Sequence, residues 1–250
     1  MKSLLGANEP HPAHIVNEHG SSAFVLICEH ASNSIPTSLN NLGLSETDRQ
    51  RHIAWDIGAA GVSRTLAKLL DAPLFLQRYS RLVYDCNRPP QADGAMPSKS
   101  EIFEIPGNRN LDPDDRLART RDIYRPFIEA ITDHLDVRAA HAKPAIIVSI
   151  HSFTRSYMGK DRVVELGLLF DRHAGIANHL VRCFPQFDTR LNEPYGPKDG
   201  VMHLMNQIAA PRSLPHVMIE IRNDLIETEK TQMEWGHCLS VPLQQAAAKP

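Results

Sequence analysis

The chain has 250 residues, of which 42% are hydrophobic and 22% are charged, and its formal net charge at pH 7 is −2. This length and apolar content are sufficient for one large α/β domain, which we favour over two small domains. The nearly balanced charge provides no basic surface for nucleic acid, and no apolar stretch is long enough to span a bilayer, so we expect neither partner.

The cysteines and the first residues indicate the compartment. The four cysteines are scattered through the chain without a Cys-x-x-Cys pair, which favours reduced thiols over a disulfide framework or a thiolate zinc site. The first residues lack the charged and apolar regions of a secretory signal. We therefore expect a cytoplasmic protein in which any metal depends on His and carboxylate ligands.

Residues 1–21 contain two glycines and two prolines without apolar periodicity, and they predict an extended N-terminal arm before a single domain over residues 22–250. The first strand of that domain is predicted at 24–28, where a continuous apolar run indicates burial on both faces. This strand runs directly into Glu29-His30 and then into turn residues.

Two later segments repeat this pattern of a buried strand that ends in polar residues. Residues 145–150 lead into His151, and residues 216–222 carry Glu220 within an apolar run. Open α/β sheets form their sites in the crevice beyond the carboxyl ends of the strands, because loops converge there. The three strands are therefore expected to bring His30, His151 and Glu220 to one rim.

The remaining elements are predicted from apolar periodicity, helix-capping residues and the turn residues Gly and Pro. Two long segments, 91–111 and 185–200, are predicted to be loops, the first of them over the site. We predict strands at 74–77, 82–85 and 163–170, and helices at 45–70, from Asp112 to about Leu135, at 173–184, at 201–210 and from about Thr228 with a break at Pro242.

His30, His151 and Asp56 form a candidate metal site. Two imidazole nitrogens, a carboxylate oxygen and one open position describe a catalytic zinc site, in which the metal acidifies water and polarises a carbonyl. Alternatively, either histidine is a hydrogen-bonded rim residue, and Asp56 caps a neighbouring element or pairs with an arginine.

Glu220 is a candidate general base, because an unpaired charge in an apolar strand costs several kcal/mol. A salt bridge from Glu220 to Arg222 is the alternative, although both side chains share a strand face and could project into a site together.

Asn87-Arg88 is suited to binding a substrate carboxylate. A guanidinium matches a carboxylate bidentately, and the adjacent amide adds a neutral donor. Pairing of Arg88 with Asp85 is an equally compatible interpretation. Arg81 and Arg222 could each supply further positive charge.

Five motifs occur in an order that resembles the N-formylglutamate amidohydrolase family over roughly residues 24–228. The five together, in the family's order, are fairly specific. The motifs are Ile27-Cys28-Glu29-His30-Ala31-Ser32-Asn33, Trp55-Asp56-Ile57-Gly58, Arg81-Leu82-Val83-Tyr84-Asp85-Cys86-Asn87-Arg88-Pro89, Ser149-Ile150-His151-Ser152-Phe153-Thr154 and Ile219-Glu220-Ile221-Arg222-Asn223-Asp224-Leu225-Ile226.

The resemblance implies a three-layer α/β/α domain of the phosphorylase/hydrolase type, with a mixed, largely parallel central sheet, similar to the wider zinc carboxypeptidase and aspartoacylase group. That group has His-x-x-Glu at its first ligand pair, whereas Asn33 stands three residues after His30 here. We therefore expect Asp56 to be the carboxylate ligand, with Glu29 the weaker candidate. The resemblance also implies these roles: metal ligands His30 and His151, general base Glu220, carboxylate clamp Asn87 and Arg88, and oxyanion helper Arg81.

The function implied by the resemblance is that of a metal-dependent amidohydrolase with Zn²⁺ or another divalent metal as cofactor. It would cleave the formyl group from N-formyl-L-glutamate, or from a similar N-acyl acidic amino acid, to give formate and the free amino acid. Arg222 would hold the side-chain carboxylate of this small anionic substrate, and histidine catabolism is the implied setting. Two alternatives stay open: an N-acyl amino acid amidohydrolase or small carboxypeptidase that accepts a larger acyl group, and a non-catalytic metal- or ligand-binding protein.

Overall fold

Continuous apolar runs form the middle of a central sheet, and amphipathic segments form the helices that cover it. The structure is a computed structural model that describes residues 3–248. Its strands are β1 (Ala13–Val16), β2 (Phe24–Cys28), β3 (Leu74–Gln77), β4 (Lys99–Ser100), β5 (Phe103–Glu104), β6 (Ile146–Phe153), β7 (Ser156–Tyr157), β8 (Lys160–Asp161), β9 (Leu166–Leu169), β10 (Thr189–Leu191) and β11 (His216–Arg222). Its α-helices are α1 (Glu46–Arg49), α2 (Ala59–Leu70), α3 (Pro113–Arg119), α4 (Arg125–Ala140), α5 (Ala174–Cys183), α6 (His203–Ile208) and α7 (Glu229–Ala247), with a π-helical turn at Thr120–Tyr124 between α3 and α4.

The main sheet has seven strands within the described residues, in the order β1-β3-β2-β6-β11-β9-β10. Strands β3, β2, β6 and β11 are parallel to one another, whereas β1 is antiparallel to β3 and β9 is antiparallel to β11. The pairs β4–β5 and β7–β8 form separate two-stranded hairpins. The carboxyl ends of β2, β6 and β11 therefore lie side by side at one edge of the sheet.

Two apolar cores lie on opposite faces of this sheet. Along β2, Val25 and Ile27 pack into one core and Leu26 and Cys28 into the other, because successive strand residues point to opposite faces. Helices α4 and α6 cover the first core, and α2, α5 and α7 cover the second. The predicted fold class, a three-layer α/β/α domain with a mixed and largely parallel sheet, is confirmed.

Both edge strands arise from segments that the sequence predicts to be irregular. Within the predicted arm at 1–21, β1 pairs with β3 along its whole length. Within the loop predicted at 185–200, β10 pairs with β9 at residues 189–191, so that prediction is corrected there. Strands of three or four residues are too short to show apolar periodicity, and they form because a neighbouring strand supplies hydrogen-bonding partners.

The strand predicted at 82–85 is wrong, because this segment is a turn. The amides of Val83 and Tyr84 donate to the carbonyl oxygen of Ser80 at 2.9 and 3.3 Å. Leu82, Val83 and Tyr84 are nonetheless buried. Their apolar character reflects packing in the core and not pairing in a sheet.

The helix prediction at 45–70 is correct at its two ends only. The segment divides into α1 and α2, which are separated by turns that end at Gly58.

The break predicted at Pro242 is also wrong, because α7 continues to Ala247. A proline removes only one helical hydrogen bond, and the side chains of Leu239 and Leu243, on either side of it, are buried in the core that α7 shares with α2 and α5. Within residues 3–248, no helix has the length and apolar character needed to cross a membrane.

Gly58 precedes α2 with a φ of +83°, and a Cβ atom there would lie 2.2 Å from the carbonyl oxygen of Ile226. We expect Gly58→Ala to lower the free energy of unfolding by at least about 2 kcal/mol, since it combines a left-handed backbone with a backbone clash. Gly175→Ala in α5 is the matched control, because no atom lies within 4 Å of its Cβ position. Urea unfolding measures both, and equal midpoints for the two variants would contradict this interpretation.

Candidate metal centre

A cavity of about 340 Å³ opens where β2, β6 and β11 end. His30 follows β2 by two residues, His151 lies in the last half of β6, and Glu220 lies in β11 directly opposite His151 in the parallel register. All three side chains line the cavity, so the strand-end rule brings them to the predicted rim. The other lining residues are His52, Ile53, Asp56, Arg81, Asn87, Arg88, Ser100, Glu101, Ser152, Phe153, Thr154, Tyr157, Tyr195, Asp199 and Val201.

His30, Asp56 and His151 form a tight cluster at the base of this cavity. One carboxylate oxygen of Asp56 lies 3.2 Å from His30 Nδ1 and 2.8 Å from His151 Nδ1. The two imidazole rings meet edge to face with centroids 4.9 Å apart. One ligand atom from each of the three residues lies within 4.8 Å of the others, and all three side chains are buried.

The backbone fixes the position of Asp56 in the turn before α2. Its amide donates to the carbonyl oxygen of His30 at 2.9 Å. Its Oδ2 accepts a hydrogen bond from the amide of Ser152 at 3.2 Å, and its Oδ1 accepts one from Arg81 at 3.2 Å. Both carboxylate oxygens are thus oriented by groups from two other segments of the chain.

A second carboxylate lies behind each imidazole. His30 Nε2 is 2.8 Å from an oxygen of Asp85, and His151 Nε2 is 3.0 Å from Glu29 Oε2, the latter at an angle unsuited to a hydrogen bond. Glu29 Oε2 instead accepts the Ser149 hydroxyl at 2.6 Å. Outer carboxylates of this kind orient ligating histidines and raise their basicity. Glu29 therefore lies beyond His151 and not beside Asp56, which favours Asp56 as the carboxylate ligand.

The electrostatics of the cluster favour a positive charge at its centre. Burial alone would lower the pKa values of both histidines, but the carboxylates around them raise both, and that of His151 lies well above its usual range. Burial alone would raise the pKa values of the Glu29, Asp56 and Asp85 carboxyls, but the positive charges of the histidines and Arg81 lower them. The effect is strongest for Asp56 and Asp85. Two imidazoles and a carboxylate are donors that Zn²⁺ prefers, so this ligand set fits a divalent cation.

The pKa of Glu220 is raised, whereas the pKa values of Glu29, Asp56 and Asp85, the other described carboxyls at the cluster, are lowered. Burial, aided by the Asp56 carboxylate, raises it to about 7. Glu220 faces Gly167 of β9, where a Cβ atom would lie 3.2 Å from the Cβ of Glu220, so glycine leaves room for the side chain. A carboxyl with such a pKa can exchange a proton near neutral pH.

This pKa predicts a pH dependence of stability in the chelator-treated protein. The folded pKa of about 7 exceeds the ordinary glutamate value of 4.5, so protonated Glu220 stabilises the fold at acidic pH, and this contribution is lost as pH rises through 7. Relative to Glu220→Gln, the wild type should lose about 2.5 kcal/mol of unfolding free energy between pH 5 and pH 8. Denaturant titrations in chelator at both values measure this, and a constant difference between the two proteins would contradict it.

Arg81 lies at the cavity wall, bridging two carboxylates. Its guanidinium donates to Asp56 Oδ1 at 3.2 Å and to Asp85 Oδ2 at 2.8 Å. Asp85 was expected as a possible partner of Arg88, but it contacts Arg81 and His30 instead. Arg81 therefore holds together the carboxylates that orient His30, in addition to placing a positive charge beside the cavity.

Asn87 and Arg88 line the cavity, and loop 200–204 holds them in place. The Asn87 amide donates to the carbonyl oxygen of Val201 at 2.5 Å and accepts the amide of Leu204 at 3.0 Å. Arg88 donates to the carbonyl oxygen of Gly200 at 2.8 Å and to that of Asn87 at 3.0 Å. Asn87 thus has a structural role in the loop, while Arg88 presents a positive charge that carbonyl groups orient without neutralising it.

Arg222 and Asn33 lie outside the cavity. Arg222 is ion-paired with Asp224 at 2.7 Å and with Glu165 at 3.3 Å, and the structure does not bring it into the lining of the cavity. The side chain of Asn33 donates to the carbonyl oxygen of Arg49 at 3.0 Å. Neither residue lines the cavity, because ion pairs hold the side chain of Arg222 and a hydrogen bond holds that of Asn33 elsewhere.

Sequence reasoning missed the residues that form the cavity mouth. Glu101, in the turn of hairpin β4–β5, lies 3.0 Å from His52 Nε2 and accepts the amide of Met158, at the tip of hairpin β7–β8, at 2.8 Å. Tyr157 and Tyr195 add aromatic walls. These residues lie in short hairpins and loops, where no periodicity reveals which side chains meet. The prediction that segment 91–111 covers the site was the one available signal.

Comparisons with known proteins bear on this arrangement. A family model described as N-formylglutamate amidohydrolase matches residues 22–227. The crystal structure of a gene product from Agrobacterium tumefaciens is 41% identical, with a TM-score of 0.96 and 98% of each chain covered. The crystal structure of N-formylglutamate amidohydrolase from Ralstonia eutropha is 16% identical, with a TM-score of 0.73 and 95% of this chain and 98% of that chain covered, so it bears on the fold alone. None of the curated proteins compared with the chain matches it.

The matched segment contains the whole cluster, Glu220 and the arginines of the cavity wall. The resemblance that the five sequence motifs indicate is therefore confirmed, and the similarity of fold extends over nearly the whole chain. The chain belongs to the N-formylglutamate amidohydrolase family and is a hydrolase that acts on an amide bond.

Proposed function

We propose that the chain hydrolyses N-formyl-L-glutamate to formate and L-glutamate, with a divalent cation, Zn²⁺ by its ligand set, held by His30, Asp56 and His151. The observation that carries this proposal is the position of Glu220, which is in register with His151 beside the cluster and has a pKa near 7. A buried cationic centre next to a proton-exchanging carboxyl is an arrangement suited to amide hydrolysis.

In this scheme the cluster would hold the cation, and Glu220 carries out the proton transfers. A divalent cation, when bound there, supplies Lewis-acid polarisation of a carbonyl and acidifies water. Glu220 accepts a proton from the attacking water as the water oxygen bonds to the formyl carbon. It then passes that proton to the nitrogen of the leaving amine as the C–N bond breaks. The oxygen of water is retained in formate, and the amine leaves as the free amino acid.

Arg81 and Arg88 bind and orient the substrate in this scheme. The Arg81 charge lies beside the cluster, where it stabilises the oxyanion that develops on the formyl carbonyl, an effect typically worth a few kcal/mol. Arg88 binds the α-carboxylate, since its guanidinium borders the cavity and its described hydrogen bonds go to carbonyl oxygens. The substrate is thereby oriented with its amide over the cluster.

The test is formate release by the zinc-loaded protein from N-formyl-L-glutamate, beside N-acetyl-L-glutamate and N-formyl-L-leucine. We expect formate from N-formyl-L-glutamate, loss of this activity on chelation and its return on addition of zinc. Acetate release alone would instead favour an amidohydrolase for larger acyl groups. Formate release that is unaffected by chelation would contradict the metal-dependent proposal.

A further inference from the structure

Arg162 lies directly after β8, in contact with residues that line the cavity. Its guanidinium carbon is 4.6 Å from the ring centroid of Tyr157, 4.9 Å from that of Tyr195 and 5.7 Å from that of Phe153. It also donates to the carbonyl oxygen of Thr154 at 3.4 Å. All four of these contacts are residues that line the cavity, so the charge of Arg162 is fixed at its edge.

Arg162 differs from the other arginines near the site in its partners. Arg81 is paired with Asp56 and Asp85, and Arg222 is paired with Asp224 and Glu165. Among residues 3–248, Arg162 makes no salt bridge, and cation–π contacts with three rings hold it in place instead. A half-buried guanidinium that aromatic rings hold without a counter-ion is preorganised to receive an anion.

The carboxylates at the mouth of the cavity are already engaged elsewhere. Glu101 pairs with His52 and accepts the amide of Met158. Asp199 accepts the amide of Gly196 at 2.9 Å. Neither is ion-paired with Arg162, which leaves its charge beside the cavity without a carboxylate partner among the described residues.

We propose that Arg162 binds the side-chain carboxylate of the substrate and makes the enzyme selective for N-acyl amino acids with two carboxylates. This inference rests on the proposed function, in which Arg88 binds the α-carboxylate. It assigns to Arg162 the role that sequence reasoning gave to Arg222. The hairpin β7–β8, which contributes Tyr157 to the cavity lining and is followed directly by Arg162, is then the specificity element of the site.

The test compares kcat/KM for N-formyl-L-glutamate and N-formyl-L-glutamine, which differ only in the charge of the side chain. The wild type should prefer the acidic substrate. Arg162→Gln should lower kcat/KM for N-formyl-L-glutamate about 10- to 100-fold, the range expected for charged hydrogen bonds, and change that for N-formyl-L-glutamine less than about 3-fold. Arg155→Gln, at an exposed position preceding β7, is the matched control for loss of one positive charge and should leave both values unchanged.

Arg162→Lys provides a second variant that keeps the charge without the bidentate fork, and its preference should lie between those of the wild type and Arg162→Gln. Thermal unfolding checks that each variant is folded. Equal loss on both substrates, or a wild type that prefers the neutral substrate, overturns this inference while leaving formyl hydrolysis intact. Absence of formate from either substrate with the wild type overturns the proposed function and this inference with it.

Discussion

Glu220→Gln is expected to lower kcat for formate release about 10²- to 10⁴-fold while leaving one bound metal per chain. Glutamine keeps the size of the buried side chain and remains polar, but its amide cannot accept the proton of water or return it to the leaving nitrogen. Because Glu220 is not one of the cluster ligands, metal content should be unchanged. Stopped assays of formate and elemental analysis of the same preparation measure both quantities.

The matched control for this variant is Glu234→Gln, an exposed position in α7 that is remote from the cavity. It makes the same chemical change and should retain full activity. A Glu220→Gln protein with more than about a tenth of wild-type activity would remove Glu220 as the proton carrier. Loss of metal together with activity would instead assign Glu220 a ligating role and contradict the proposal that Glu220 transfers protons without binding the metal.

Asp56→Asn is expected to abolish stoichiometric metal binding and reduce formate release to background. The Asp56 carboxylate contacts both imidazoles and carries the negative charge between them. A carboxamide of the same shape is neutral and a poor ligand, so the site would lose both a donor and its electrostatic attraction for a cation. Zinc titration calorimetry and the formate assay measure these effects.

Glu29→Gln tests the weaker of the two carboxylate ligand candidates that the sequence indicates. Glu29 lies on the far side of His151, so this variant should keep a stoichiometry of one metal and lose only about 10- to 100-fold in affinity, as outer-sphere changes typically do. The opposite ranking, with Glu29→Gln losing all metal and Asp56→Asn retaining it, would identify Glu29 as the ligand and contradict the assignment made here.

The central part of the fold could be predicted because its strands are buried on both faces. The run Phe24–Cys28 is apolar throughout, and Val217–Ile219 continues the same pattern up to Glu220. The edge strands could not be predicted, since Ala13–Val16 and Thr189–Leu191 are short and depend on partners distant in sequence. Residues 82–85 led to the converse error, because apolar residues buried in a turn are indistinguishable by pattern from a strand.

The inner part of the site could be predicted for the same reason. His30, His151 and Glu220 lie at or near strand ends whose position relative to one another is set by the sheet. The outer part depends on side-chain pairing that no spacing encodes. Arg222 shares a strand face with Glu220 but is ion-paired with two nearby acids, whereas Arg162, directly after a two-residue hairpin strand, contacts an aromatic ring of the cavity lining.

The most direct test of the metal centre is an anomalous difference map, recorded at the zinc absorption edge, from crystals of the zinc-loaded protein. We predict one strong peak within coordination distance of His30, Asp56 and His151, with Glu220 beside it and outside the ligand set. A peak at any other group of residues, or no peak in protein that releases formate, would contradict the account.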